Sequence, residues 1–110
     1  MKENEFREFL INKGYTKKSI DSRILKAKKA EEILGESYDN IVIDDDVMFW
    51  SLNDLQLYDN PKHGLMQNTL RSYYEFINHE IFPSRKIYME MRGIHHYKFR
   101  GPIGYIPPIM

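Results

Sequence analysis

Residues 16–35 constrain the fold more than any other stretch of the chain. Thr16 stands where a hydroxyl can accept a hydrogen bond from a free backbone N–H at a helix start. Gly35 stands where a left-handed residue ends a helix at little cost. Between them Ile20, Ile24, Ala27, Glu31 and Leu34 fall on one stripe flanked by Ala30, with Lys18, Ser22, Lys26 and Lys29 opposite. The pattern predicts an amphipathic helix of about five turns. Such a helix must bury its apolar stripe against other elements, which points to a helical bundle.

Its neighbours repeat the same grammar. Residues 3–13 place Phe6, Phe9 and Leu10 on one face, and Gly14 follows as a terminator. Residues 36–43 read as a connection with Ile41 to Ile43 turned toward the core. Asp44, Asp45 and Asp46 then open a third helix, whose buried face draws on Val47, Phe49 or Trp50, and Leu52 to Leu57. Residues 59–64 (DNPKHG) are a turn by composition. A fourth helix follows from Leu65 to Asn78, with Met66, Leu70, Tyr73 and Ile77 inward and Asn68, Arg71, Ser72 and Glu75 outward. The expected architecture over residues 1–79 is thus mainly α, a compact four-helix unit.

Beyond Pro83 the pattern changes. Residues 86–91 alternate, with Ile87, Met89 and Met91 on one side, and 94–99 offer a second arm, so the expectation is a short β-hairpin. Residues 101–110 hold three Pro and two Gly and are expected to be extended or irregular. A lone hairpin is marginal, so the 80–110 tail should pack on the helices or engage a partner.

With 110 residues there is room for one domain. No apolar run reaches the length of a membrane span, and the charged N-terminal residues do not resemble a secretory leader. The absence of Cys removes disulfides and thiolate chemistry, which fits a cytoplasmic protein. Net charge is zero, yet its distribution is uneven. Residues 1–35 carry nine basic and six acidic side chains, 36–60 carry seven acids and no base, and 61–110 carry seven bases and three acids. Basic faces on a neutral protein leave nucleic acid open as a partner.

The triple Asp could gather a divalent cation, form a docking surface, or cap a helix; consecutive positions point apart, which favours capping. His95 and His96 would face opposite ways in a strand, so no metal site is expected. No phosphate-binding glycine loop and no nucleophile–base constellation is present, so neither catalysis nor a cofactor is expected. Lys17, Lys18, Lys26 and Lys29 line the outer side of the long helix, where they could meet successive phosphates or simply face water. In the tail, Arg92, Lys98 and Arg100 interleave with Tyr97 and Phe99. That mixture suits base stacking, a protein interface, or cover for the helical core.

Two segments resemble the N-terminal core-binding (SAM-like) domain of tyrosine recombinases and phage integrases. They are FREFLINKGYTKKSIDSRILKAKKAEEIL (6–34) and NTLRSYYEFIN (68–78), with SLNDLQ (51–56) fitting the helix between. The resemblance implies a helical unit that contacts duplex DNA through its backbone, at Thr16, Lys17, Lys18, Lys26, Asn68 and Arg71, to which the outward lysine face adds Lys29. It also implies no strand cleavage, since the family's catalytic domain has no counterpart here. The second expectation is a small phage or mobile-element protein that inhibits or adapts a nucleic-acid enzyme. That protein would use Asp44, Asp45, Asp46, Arg92, Tyr97, Lys98 and Arg100.

Overall fold

The computed structural model describes residues 1–60 and 64–93. Its elements are α1 (Glu3–Asn12), α2 (Lys17–Leu34), α3 (Tyr38–Ile41), α4 (Asp45–Leu55), α5 (Leu65–Asn78) and α6 (Arg85–Met91), and no strand occurs among the described residues. The molecule is mainly helical. Helices fall where four were expected, as α1, α2, α4 and α5, and two short ones, α3 and α6, add to them.

Local chemistry sets most boundaries. The Thr16 hydroxyl accepts from Ser19 N–H at 3.2 Å and opens α2, while Gly35 closes it with φ 67°. Asp44 opens α4 by accepting from the N–H groups of Asp46 and Val47 at 2.9 and 3.1 Å. α5 begins at Gly64, which has no side chain to offer. Asp59 reaches across the loop instead and accepts from Met66 and Gln67 N–H at 2.7 and 2.9 Å.

α2 is the central helix, packing against α1, α4 and most extensively α5. Its Ala27 and Ala30 are fully buried, and such small side chains let neighbouring helices come close. Two aromatic clusters join the other helices. In one, Phe6 meets Tyr73 edge-on at 5.0 Å, with Tyr38, Phe9 and Phe76 around them. In the other, Tyr88 stacks on Phe49 at 4.8 Å and touches Phe82, which meets Tyr74 at 5.1 Å.

The strand expected over 86–91 is a helix. Ser84 caps it, accepting from Ile87 N–H at 3.3 Å, and Tyr88 rather than Ile87 enters the core. Ile87 and Met91 are exposed. Alternation over six residues fits both periods, and the buried Tyr88 ring decides between them. The expected second arm, 94–99, lies outside the described residues. Other corrections are smaller. Residues 38–41 form a turn of helix rather than plain connection, and Ile43, Val47 and Leu57 are exposed where burial was expected. Within residues 80–93, Phe82 and Tyr88 belong to the core of the helical body.

Candidate nucleic-acid interface

The basic side chains divide sharply once folded. Arg7 bridges Glu3 and Asp21 at 3.2 and 2.7 Å, Lys28 pairs with Glu3 at 3.0 Å, and Lys13 with Glu75 at 2.6 Å. Lys17 pairs with Asp21 at 3.1 Å, one turn along α2. The Arg23 guanidinium lies over the Tyr15 ring, 4.2 Å from its centroid. By contrast Lys18, Lys26 and Lys29 are exposed and carry no ion pair among the described residues. All three project from α2 away from its buried stripe of Ile20, Ile24, Ala27 and Ala30. On an ideal helix Lys18 and Lys29 are about 16 Å apart along the axis and within about 20° in azimuth, with Lys26 about 80° round from Lys18. They form one basic ridge. Thr16 and Lys17 stand at its N-terminal end, and the exposed Glu32 borders its C-terminal end.

α5 contributes less than expected. Asn68 is exposed, but Arg71 does not face out. Its guanidinium is half-buried and donates to the carbonyls of Phe82 and Pro83 at 3.0 and 3.2 Å, lying over the Phe82 ring. Burial pulls its pKa below the ordinary value. The sequence pattern put Arg71 outward because the partner, the 82–83 segment, comes from beyond the helix.

The carboxylates of the acidic block find partners within the fold, beginning with the helix cap that was the favoured reading of the triple Asp. Asp44 caps α4, Asp45 accepts from the Tyr74 hydroxyl at 2.9 Å, and Asp46 accepts from the Tyr88 hydroxyl and, at 2.8 Å, from Arg92. Asp46 and Arg92, both expected to bind a partner, thus bind each other. Asp39 accepts from the Tyr73 hydroxyl and pairs with the Met1 amino group at 2.9 Å. Glu36 accepts from Ser37 N–H and from the Asn40 amide. Tyr97, Lys98 and Arg100 lie outside the described residues.

These contacts shift proton affinities. Burial first, and then the facing carboxylates, push Tyr73, Tyr74 and Tyr88 above the ordinary tyrosine value of 10.0; for the deeply buried Tyr38 burial alone dominates. The hydrogen bond to Asp39 raises the Met1 amine above 8.0. Burial works to raise Asp39, but the Tyr73 hydroxyl and the Met1 amine outweigh it and hold the carboxyl below 3.8. Sequence reasoning missed these pairs, although Glu31 on the apolar stripe of α2 was a sign that something polar approached. Glu31 accepts from Tyr38 N–H at 2.8 Å and lies 3.7 Å from the Met1 amine.

Among the described residues no group of three or more His, Asp or Glu side chains is placed to hold a metal ion. Nor is any helix there long and apolar enough to cross a membrane. No family model, curated protein or solved structure matches the chain.

Proposed function

We propose that this chain is a non-catalytic module that binds the backbone of duplex DNA along the outer face of α2. The observation that carries this reading is the contrast among its cations. The fold pairs Arg7, Lys13, Lys17, Lys28 and Arg92 internally, yet Lys18, Lys26 and Lys29 have no ion pair among the described residues and share one ridge. Ammonium groups spaced along a rigid helix can meet phosphates on successive turns without reading bases. Thr16 and Asn68 are further, uncharged backbone contacts in this reading, whereas Lys17 and Arg71 are left to their partners within the fold. The resemblance of residues 6–34 and 68–78 to a recombinase core-binding domain points the same way.

The other reading, an inhibitor or adaptor working through the acidic segment, has less to stand on. The carboxylates of Glu36, Asp39, Asp44, Asp45, Asp46 and Asp59 are oriented by donors within the fold. Groups already held in place are poorly free to adapt to a partner.

Fluorescence anisotropy on a labelled duplex, titrated with salt, tests the proposal. Three phosphate contacts at about −0.9 each give a slope of about −2.7 for log affinity against log salt. Lys18→Glu, Lys26→Glu and Lys29→Glu should each weaken binding for every sequence alike, and Lys→Gln at each should lower the slope by about 1. Lys86→Glu, on the exposed side of α6, is the control and should change little. A flat salt dependence, or equal losses from Lys86→Glu, would overturn it.

A further inference from the structure

A second surface, between α1 and the end of α5, has the opposite chemistry. It is an open groove of about 620 Å³ lined by Asn4, Glu5, Glu8, Phe9, Asn12 and Phe76, with His79 at the end of α5. Its floor is aromatic, with Phe9 and Phe76 at 5.5 Å between centroids and Phe6 behind them. Its rim is anionic. Glu5 and Glu8 lie one turn apart on α1, exposed and without an ion pair among the described residues, whereas the nearby Glu3 and Glu75 are both paired.

We propose that this groove seats a basic peptide segment of a partner protein, one that carries arginine or lysine beside an aromatic or aliphatic side chain. The protein already shows the mode of recognition with its own Lys13. That ammonium lies 5.4 Å from the centroid of Phe9 while its charge is met by Glu75 at 2.6 Å. A cation over a ring with a carboxylate alongside is a favourable pairing, stronger as water is excluded. Phe9 and Phe76 offer a partner ring surface, while Glu5 and Glu8 supply charge that no ion pair among the described residues neutralises. Asn4 and Asn12 can hydrogen-bond an extended backbone. The volume falls within the range of sites that bury a small ligand or a few residues. The same carboxylates repel phosphate, so the groove and the α2 ridge select different partners, each independently of the other.

The probe is a fluorescein-labelled eight-residue peptide alternating arginine and phenylalanine, compared with the same peptide carrying glutamate for arginine. Both are titrated by anisotropy against the full chain. The basic peptide should bind at least about tenfold more tightly than the acidic one, with an affinity that weakens as salt rises. The double variant Glu5→Lys, Glu8→Lys alters only exposed side chains and should keep its circular dichroism, with a thermal midpoint lowered by no more than a few degrees because Glu5 stands in the first turn of α1. It should weaken the basic peptide by about tenfold or more without loss of any duplex affinity. Equal binding of the two peptides, or no loss in the double variant, overturns the proposal. A concentration-dependent dimer in sedimentation that the double variant disperses would assign the groove to a second copy instead. Tighter peptide binding by Lys98→Glu, Arg100→Glu would assign it to the chain's own C-terminal residues. Either result also overturns the proposal.

Discussion

Gly64 sits in the left-handed region with φ 55° and leaves the first N–H groups of α5 without a local side-chain acceptor. Asp59, five positions earlier, supplies both oxygens to Met66 and Gln67, and its charge also suits the positive end of the helix. Asp59→Ala should therefore cost about 1–2 kcal/mol in urea denaturation, and Thr16→Ala, which frees a single N–H, about 0.5–1 kcal/mol; equal costs would contradict this reading. At this scale legibility depends on distance along the chain. Thr16 and Asp44 could be assigned from sequence because a cap and its partner are within three residues of each other. Asp59 could not, since its targets lie seven and eight positions away across a turn. Arg71 failed for the same reason, its carbonyl partners being eleven and twelve positions on.

Among the elements, α2 and α5 were plain in the sequence because each runs long enough for the apolar period to declare itself. α6 has seven residues, under two turns, and its alternating apolar positions suit a strand equally well. Ser84, which caps the helix at Ile87 N–H three positions on, was a local sign of it, and Tyr88 between Phe49 and Phe82, partners from outside the helix, decides the matter. Besides aromatic packing, a set of tyrosine–aspartate pairs ties α5 and α6 to α3 and α4: Tyr73 with Asp39, Tyr74 with Asp45, Tyr88 with Asp46. The phenols of these three, and of Tyr38, have pKa values raised above 10.0 by folding. A raised value favours the protonated folded form, so this stability is fully present below about pH 10 and is lost as pH climbs toward the folded-state values. The urea midpoint should fall steeply above about pH 10, and tyrosinate absorbance should appear together with unfolding. Tyr73→Phe, Tyr74→Phe and Tyr88→Phe should each make the fall shallower. An alkaline profile the same for all three variants as for the parent would refute the assignment.

For the molecule as a whole, the linear charge map was a poor guide to the surface. The acid-only stretch 36–60 left a docking face open beside a plainly solvated one, yet most of its carboxylates orient helices and receive phenols. The exposed carboxylates of Glu5 and Glu8 arise instead from a segment that is basic on balance. Folding redistributes charge because opposite signs far apart in sequence meet in space, as Lys13 meets Glu75. The lysine ridge was legible, since exposed Lys on one helix needs no tertiary knowledge. The groove was not, since its aromatic floor joins Phe9 on α1 to Phe76 on α5, and only the packed bundle brings the two rings together.

The tyrosine–aspartate pairs also bear on how long the folded state lasts. They join residues 34, 29 and 42 positions apart, so each must await the closure of a long loop. Contacts of that kind should form late, after the helices have docked, and contribute little to the barrier met on the way in. Replacing any one phenol by phenylalanine should remove about 1 kcal/mol, allowing for the exposure of the carboxylates. In stopped-flow chevrons that loss should appear as an unfolding rate raised about fivefold with the refolding limb nearly unmoved. A slowed refolding limb would place the pairs in the folding nucleus instead. On this account the pairs govern the lifetime of the native state more than the speed at which it is reached.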